Sequence, residues 1–150
     1  TPSMQYDPIK KRLGAFFGRS ALLRKIFYRL LDLLLLRAWH IHHELKKWNT
    51  PPRMQAHILD AGGGFGQYTY WLHRQNKKWN ILSVDVKQEQ VSDCNDFFHR
   101  IGADPVLFRT EDLVKFVHPP TFDLALSVDV MEHILEDVAV FRNIHASLRT

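Results

Sequence analysis

The hydrophobic pattern of residues 53–150 alternates between short apolar runs and longer amphipathic segments. The apolar runs predict four strands, over residues 56–59, 79–84, 106–108 and 122–128. The amphipathic segments predict three helices, over residues 66–74, 88–101 and 131–148. Strand and helix in alternation predict an α/β fold with a doubly wound parallel sheet. In such a sheet the ligand lies beyond the carboxyl ends of the strands.

A helical segment precedes this domain. Residues 20–47 contain neither glycine nor proline and predict one long helix, or two helices with a bend, that begins at Ser20 as N-cap. The fully apolar run from Leu33 to Leu36 is far shorter than the about 20 residues that cross a bilayer. Because proline restricts the residue before it, Pro51 and Pro52 mark a boundary. We therefore assign residues 1–52 to a helical extension or lid and residues 53–150 to the α/β domain.

The charge of the chain differs between these two parts. Residues 1–50 carry ten Lys and Arg against three Asp and Glu, which gives +7, whereas the remaining residues carry ten against thirteen, which gives −3. This asymmetry indicates different partners. A single cysteine, Cys94, excludes an internal disulfide, and no secretory signal pattern opens the sequence. The sequence thus predicts a reducing, cytoplasmic compartment.

The basic and apolar extension has two interpretations. It is either a lid over the domain or a segment, residues 10–47, in which Phe16, Phe17 and neighbouring basic residues contact a membrane surface or an apolar substrate. Nucleic acid is not expected as a partner, because the basic residues alternate with aliphatic ones rather than with glycine and stacking aromatics. His40 and His43 share a helix face, but a solvated helix end is favoured over a metal site.

The stretch "ILDAGGGFGQYTYW", residues 58–71, carries the strongest functional signal. An apolar run ends in an acid and is followed by four glycines in five positions. Glycines permit close approach of a ligand to the backbone, and the helix that follows directs its positive dipole end there. The dinucleotide pattern G-x-G-x-x-G fails, because its third glycine position falls on Gln67 or Thr69. The pattern that fits is acid-x-G-x-G-x-G, formed by Asp60, Gly62, Gly64 and Gly66.

Two further strand ends carry acids in matching places. Asp85 ends "NILSVDV" at the tip of the second strand, where a carboxylate accepts hydrogen bonds from the two hydroxyls of a ribose. The third strand is followed by "RTEDL", residues 109–113, and the fourth is contained in "FDLALSVDVMEHI", residues 122–134. In this order, the motifs resemble those of class I S-adenosylmethionine-dependent methyltransferases, in particular the small-molecule methyltransferases, over residues 56 to about 148.

The resemblance implies a Rossmann-like fold and S-adenosylmethionine as cofactor. It also implies roles for individual residues. The glycine loop contacts the methionine portion and ribose through its backbone, and Asp60 orders the loop and the amino acid end. Asp112 accepts a hydrogen bond from the adenine amino group, the amide of Leu113 reads a ring nitrogen, and Ser127 contacts the cofactor near its methionine end.

Methyl transfer from a sulfonium mainly requires alignment and exclusion of water, so a general base is optional. His133 and Glu132 are the candidates, although the same residues would also cap the predicted helix. Asp129, Glu132 and His133 would share one helix face and could hold a divalent ion, but we assign no metal.

Comparison with the seven-stranded family predicts that the chain is truncated after the fourth strand–helix unit, which leaves the fourth strand as an edge. The predicted function is transfer of a methyl group to a small acceptor at O, N or C, with a lipophilic acceptor favoured by the N-terminal helix. The alternative is a non-catalytic cofactor-binding module whose N-terminal helices engage a membrane or protein partner. The sequence does not specify the acceptor or the oligomeric state.

Overall fold

The computed structural model describes residues 20–150, which divide into two compact units on either side of the Arg53–Met54 bond. The first unit contains helices α1 (Ala21–Leu34) and α2 (Leu36–Trp48). Leu35, with extended backbone angles, separates them, so the two-helix alternative is confirmed. Ser20 occupies the N-cap position of α1, although its side chain makes no capping hydrogen bond.

Polar contacts occur within α1 and between α1 and α2. Arg24 Nε donates a hydrogen bond to the Tyr28 hydroxyl at 2.9 Å, and both side chains are buried. Asp32 of α1 lies 3.7 Å from His42 Nε2 of α2, while burial lowers the pKa of this histidine. Within residues 20–150, none of the helices is both long and apolar enough to span a membrane. The role of this unit as an extension or lid stays a prediction.

The second unit is a four-stranded parallel sheet with helices packed on both faces. Its strands lie in the order β3-β2-β1-β4. They are β1 (His57–Ala61), β2 (Asn80–Asp85), β3 (Val106–Thr110) and β4 (Leu124–Leu126). The helices are α3 (Gln67–Gln75), α4 (Gln88–Arg100) and α5 (Asp137–Ser147), with a 3-10 turn at Met131–His133. The predicted α/β, Rossmann-like architecture is confirmed.

The strand register places the polar residues of the sheet. Asp60 pairs with Ser83, and Ser83 pairs with Phe108, so these three side chains form one row on the same face. Asp85, two residues beyond Ser83, pairs with Thr110 at the carboxyl edge. The register thus aligns the loops that follow β1, β2 and β3 along a single edge.

Apolar side chains cover both faces of the sheet. On one face, Leu59 and Val84 pack with Phe116 and with Val140 of α5 in a buried cluster. On the other face, the Phe98 ring of α4 packs against the Phe108 ring with centroids 5.2 Å apart. Burial of these large side chains supplies the main driving force for the fold. Two packed layers therefore fix the sheet between the helices.

The two edge strands of the sheet differ in the partners that satisfy their outer backbone groups. At the β3 edge, the Asn95 side chain of α4 donates to the Phe108 carbonyl and accepts from its N–H, at 2.8 and 2.9 Å. The Asn95 side chain thus satisfies the two backbone groups that a further strand would otherwise pair with. At the opposite edge, β4 is three residues long rather than the predicted seven, and Phe122 instead forms a parallel bridge with Leu148.

The helix predicted over residues 131–148 is wrong in its first part. Met131–His133 form a single 3-10 turn, Ile134 is extended, and α5 begins only at Asp137. Met131 and Ile134 both pack against the buried cluster, and this tertiary packing overrides the local helix propensity. Asp137 in the first turn of α5 favours a helix start there through the helix dipole.

Candidate functional site

The loop between β1 and α3, residues 62–66, folds over the end of β2. Gly62 and Gly63 both donate their N–H groups to the Val84 carbonyl, at 2.8 and 3.1 Å. Gly66 then donates to the Gly63 carbonyl at 2.8 Å and acts as the N-cap of α3 with a φ of 83°. These bonds direct the N-terminus of α3, the positive end of its dipole, to the carboxyl edge of the sheet.

The glycines of this loop have different surroundings. Gly62 has a φ of +85°, and a Cβ there would overlap the side chain of Val130. A Cβ on Gly63 would overlap the Ser83 hydroxyl. At Gly64, with a φ of +52°, a Cβ would meet no other heavy atom within 4 Å. Protein atoms thus occupy the space beside Gly62 and Gly63, whereas Gly64 faces open space that a ligand can fill.

Asp60 is a buried carboxylate beneath the loop. It is 2 % exposed, and its Oδ2 accepts a hydrogen bond from the Thr69 hydroxyl at 2.7 Å. Burial raises the pKa of Asp60 to about 6; the Thr69 hydrogen bond opposes this shift, and the negative charge of Asp85 adds to it. The position favours a protonated or charge-paired carboxyl group. A cation bound at the loop would stabilise the ionised form.

Asp85 links the end of β2 to the glycine loop. Its Oδ2 accepts the Gly64 N–H at 3.0 Å, and its Oδ1 accepts the Lys87 N–H at 3.0 Å. The side chain is half-buried. A carboxylate oxygen has two lone pairs, so each oxygen retains acceptor capacity after these bonds. Asp85 is therefore held beside the open space at Gly64 with acceptors for a pair of hydroxyl groups.

Asp112 and Leu113 begin the loop after β3. Asp112 is exposed, and its Oδ1 accepts the Val114 N–H at 2.9 Å, which closes a local turn. The side chain that is predicted to bind adenine thus accepts a hydrogen bond from its own loop. Leu113 is buried with the core cluster, which fixes the position of its peptide group.

Sequence reasoning missed a residue that supports this loop. Asn143 of α5 donates its side-chain amide to the carbonyls of Leu113 and Val114, at 3.0 and 2.8 Å. The two segments are about thirty residues apart in the sequence, and no local pattern connects them. Asn143 therefore orients the peptide groups next to the predicted adenine contact.

The predicted groups after β4 are solvent-exposed. Ser127 directly follows β4, and Asp129, with a φ of 58°, is also exposed. Glu132 Oε1 lies 3.3 Å from His133 Nε2, and these side chains are 65 % and 52 % exposed. The prediction that Asp129, Glu132 and His133 share a helix face is wrong, because α5 starts later. In the described part of the chain, no three acidic, histidine or cysteine side chains converge as metal ligands.

The structure holds the predicted acids at β1 and β2 on either side of the glycine loop. Asp85 accepts a hydrogen bond from Gly64 of the glycine loop, and Asp60 accepts one from Thr69 in the first turn of α3. Asp112 lies on the loop after β3, and Ser127 and His133 lie on the segment between β4 and α5. The open space at Gly64, an adjacent acceptor and a helix N-terminus suit a ligand with sugar hydroxyls and a polar tail. The residues present therefore fit a nucleoside cofactor at this edge.

A parallel sheet with a glycine loop after β1 and an acid after β2 defines a Rossmann-like nucleoside-binding domain. Comparison with protein families gives the particular family. Residues 58–150 match the family described as Methyltransferase domain, so the chain belongs to the class I S-adenosylmethionine-dependent methyltransferases. A comparison with curated protein sequences gave no significant match.

Solved structures share this fold. A candidate sarcosine dimethylglycine methyltransferase from Galdieria sulphuraria is 21% identical, with a TM-score of 0.65 over 72% of this chain and 40% of that chain. A candidate S-adenosylmethionine-dependent methyltransferase from Methanococcus maripaludis is 16% identical, with a TM-score of 0.67 over 87% and 60%. Coclaurine N-methyltransferase bound to N-methylheliamine and SAH is 16% identical, with a TM-score of 0.63 over 85% and 33%. The chain thus spans 33% to 60% of the length of these three structures.

Proposed function

We propose that this chain binds S-adenosylmethionine at the carboxyl edge of the sheet, with the ribose between Gly64 and Asp85. The observation that supports this most directly is the open space at Gly64 next to a carboxylate that the Gly64 N–H already orients. A ribose there would donate its two hydroxyl groups to Asp85. Any side chain at Gly64 would enter the volume that the sugar needs.

The two ends of the cofactor fall on different loops in this proposal. The adenine lies against the loop after β3, where Asp112 accepts from its amino group and the Leu113 amide donates to a ring nitrogen. Asn143 supports this loop through two carbonyl groups. The methionine end lies toward Asp60 and Ser127. Its ammonium group would offset the burial of the Asp60 carboxylate and lower its pKa.

The reaction proposed for the site is methyl transfer to a small acceptor. The cofactor, when bound, supplies a methyl group on a sulfonium that is already activated for displacement. The protein residues hold the cofactor, align the acceptor and exclude water. Glu132 and His133, whose side chains are 3.3 Å apart, are the proposed proton acceptors for an oxygen or nitrogen nucleophile.

A small, lipophilic acceptor is the proposed substrate class. The coclaurine N-methyltransferase structure contains a small molecule together with SAH, which supports a small acceptor here. Large apolar side chains are exposed on the first unit, among them Leu22, Leu36 and Trp39 at 67%, 74% and 64%. These residues suit contact with an apolar compound.

Calorimetry with S-adenosylhomocysteine tests cofactor binding directly. We expect one binding site per chain. NADH, which also contains adenosine, is the control and should not bind. Binding of NADH but not of S-adenosylhomocysteine would contradict the proposal. Transfer of a radiolabelled methyl group from S-adenosylmethionine to a panel of small amines, phenols and lipophilic acids then tests the acceptor class.

A non-catalytic binding module is the second candidate. Leu22, Ile26 and Leu30 repeat every fourth residue on α1, and all three are exposed. A helix face of this kind, in a basic segment, suits an anionic membrane surface or a protein partner. Cofactor binding without methyl transfer to any acceptor of the panel, together with sedimentation of the chain with anionic vesicles, would favour this candidate.

A further inference from the structure

Ser83 is a buried polar residue that is not among the predicted cofactor contacts. It lies in the middle of β2, it is 0% exposed, and its hydroxyl oxygen has no hydrogen-bond partner. A buried hydroxyl without a partner destabilises a protein, so its position needs an explanation. The register places it next to Asp60 on the face of the sheet that lies beneath the glycine loop.

The neighbour of this hydroxyl is the backbone of Gly63. A Cβ on Gly63 would overlap Ser83 Oγ, would lie 3.1 Å from Ser83 Cβ and would lie 3.4 Å from Asp60 Oδ2. The φ of Gly63 is not in the left-handed region, unlike that of its two neighbours. Gly63 is therefore required for space rather than for backbone conformation. Its main-chain atoms rest directly on the Ser83 side chain.

Gly63 also connects the two halves of the proposed cofactor cradle. Its N–H donates to the Val84 carbonyl, and its carbonyl accepts the Gly66 N–H at the start of α3. The next amide, on Gly64, donates to Asp85. A shift of Gly63 away from the sheet would move the Gly64 amide relative to Asp85 and would tilt the start of α3. The height of this one residue above β2 thus controls the geometry of the loop.

We propose that Gly63 and Ser83 form a size-matched pair that positions the glycine loop for cofactor binding. Ser83 sets the height of Gly63, and through Gly63 it aligns the Gly64 amide with Asp85. Ser83 is a positioning residue that does not touch the cofactor. The proposal deepens the proposed function, because its consequence for affinity depends on cofactor binding at this loop.

A double-mutant cycle tests the pair. Gly63→Ala should weaken S-adenosylhomocysteine binding by about tenfold or more, because the new methyl group displaces the loop. Ser83→Gly alone removes the side chain on which Gly63 rests and should weaken binding by a smaller factor. Gly63→Ala with Ser83→Gly removes both Ser83 atoms near the new methyl group, and it should recover most of the affinity. Calorimetry measures binding, and urea denaturation measures stability for the same four proteins.

Gly102→Ala is the matched control for the glycine replacement. Gly102 has a φ of +72° with no heavy atom near its Cβ position, so this variant carries backbone strain without a clash. It should lose stability and keep its affinity. If Gly63→Ala does not fold, recovery of folding in the double variant supports the pair, and failure of both to fold contradicts it.

The outcomes separate this inference from the proposed function. Wild-type affinity in Gly63→Ala, or a double variant no better than Gly63→Ala, would overturn the size-matched pair. Absence of S-adenosylhomocysteine binding by the wild-type chain would instead overturn the proposed function. In that case the stability measurements still decide the pair, because coupling between the two substitutions does not require a ligand.

Discussion

The loops after β1 and β2 differ from the loops after β3 and β4 in how their polar groups are held. At β1 and β2, the carboxylates of Asp60 and Asp85 are hydrogen-bonded to Thr69 and Gly64 and are buried or half-buried. At β3 and β4, Asp112 and Ser127 are exposed, and Asp112 bonds only within its own turn. The half of the proposed site at β1 and β2 is therefore pre-organised without a ligand. In the half at β3 and β4, Asp112 and Ser127 are exposed and lie on separate loops.

This difference indicates where binding affinity and specificity originate. A pre-organised half binds its part of the ligand without paying for the ordering of side chains, so substitutions there should have large effects. The exposed groups compete with water for the ligand and should contribute less. The effects of substitutions should therefore decrease from the glycine loop outward.

Replacement of Gly64 by valine should have the largest effect. A β-branched residue is strained at a φ of +52°, and its side chain would fill the open space proposed for the ribose. We expect loss of S-adenosylhomocysteine binding by about a hundredfold or more in calorimetry, with an unchanged far-ultraviolet circular dichroism spectrum. Gly102→Val carries similar backbone strain away from the site and should still bind. Equal affinities for Gly64→Val and wild type would contradict the placement of the loop.

Replacement of Asp60 by asparagine should raise stability above pH 6. Burial raises the pKa of Asp60 from 3.8 to about 6. Between these two pH values, the folded state keeps a proton on Asp60 that the unfolded state has released. Wild-type stability should therefore fall as pH rises through this window, by about 3 kcal/mol, relative to Asp60→Asn. Urea denaturation from pH 3.5 to 7.5 measures this difference. Parallel stability curves for the two proteins would show that Asp60 ionises normally.

Asp60→Asn should also change the affinity for the cofactor. Asparagine can still accept the Thr69 hydrogen bond, but it carries no charge to balance the ammonium group of the cofactor. We expect weaker S-adenosylhomocysteine binding at pH 7.5 despite the greater stability. Unchanged affinity would remove Asp60 from the methionine end of the proposed site.

Replacement of Asp85 by alanine should weaken S-adenosylhomocysteine binding by about 1 to 3 kcal/mol. The ribose hydroxyls would lose a charged acceptor, and the Gly64 and Lys87 amides would lose their partner. Asp85→Asn keeps one oxygen acceptor and should fall between wild type and alanine. The same affinity for all three proteins in calorimetry would exclude Asp85 as the ribose contact.

Replacement of Asp112 by asparagine should change selectivity more than affinity. A carboxylate prefers the adenine amino group, whereas an amide can also donate to the carbonyl oxygen of hypoxanthine. The ratio of affinities for S-adenosylhomocysteine and S-inosylhomocysteine should therefore fall in Asp112→Asn, by about tenfold. An unchanged ratio would indicate that the adenine ring binds away from Asp112. Asp104→Asn, which changes another acid on a different loop, is the control.

Replacement of His133 by glutamine should have the smallest effect on cofactor binding. The side chain is half-exposed and contacts Glu132, on the loop that we assign to the acceptor. Affinity for S-adenosylhomocysteine should stay within about twofold of the wild type, because no contact with the cofactor is lost. A loss as large as that of Asp85→Ala would move His133 into the cofactor site.

The sequence predicted those features of the candidate site that depend on local patterns, and the roles of its residues stay predictions. Asp60 and Asp85 were found because an acid after a buried apolar run marks the end of a parallel strand. The glycine loop was found because several glycines together indicate close approach of a ligand. The position of the fourth strand at an edge of the sheet followed from the family resemblance and is confirmed.

Contacts between distant segments could not be predicted in this way. Ser83 lies beneath Gly63, and Asn143 holds the loop after β3, only because the sheet and α5 bring them together. The helix over residues 131–148 was wrong for the same reason, since packing of Ile134 on the core interrupts a segment with good helix propensity. Tertiary packing decided these features, and a linear pattern does not contain it.

A crystal structure of the chain with S-adenosylhomocysteine tests the central claim most directly. We expect the nucleoside to lie over Gly64, with both ribose hydroxyl oxygens within about 3 Å of the Asp85 carboxylate. A nucleoside bound at another place, or an Asp85 side chain turned away from the ribose, would contradict it.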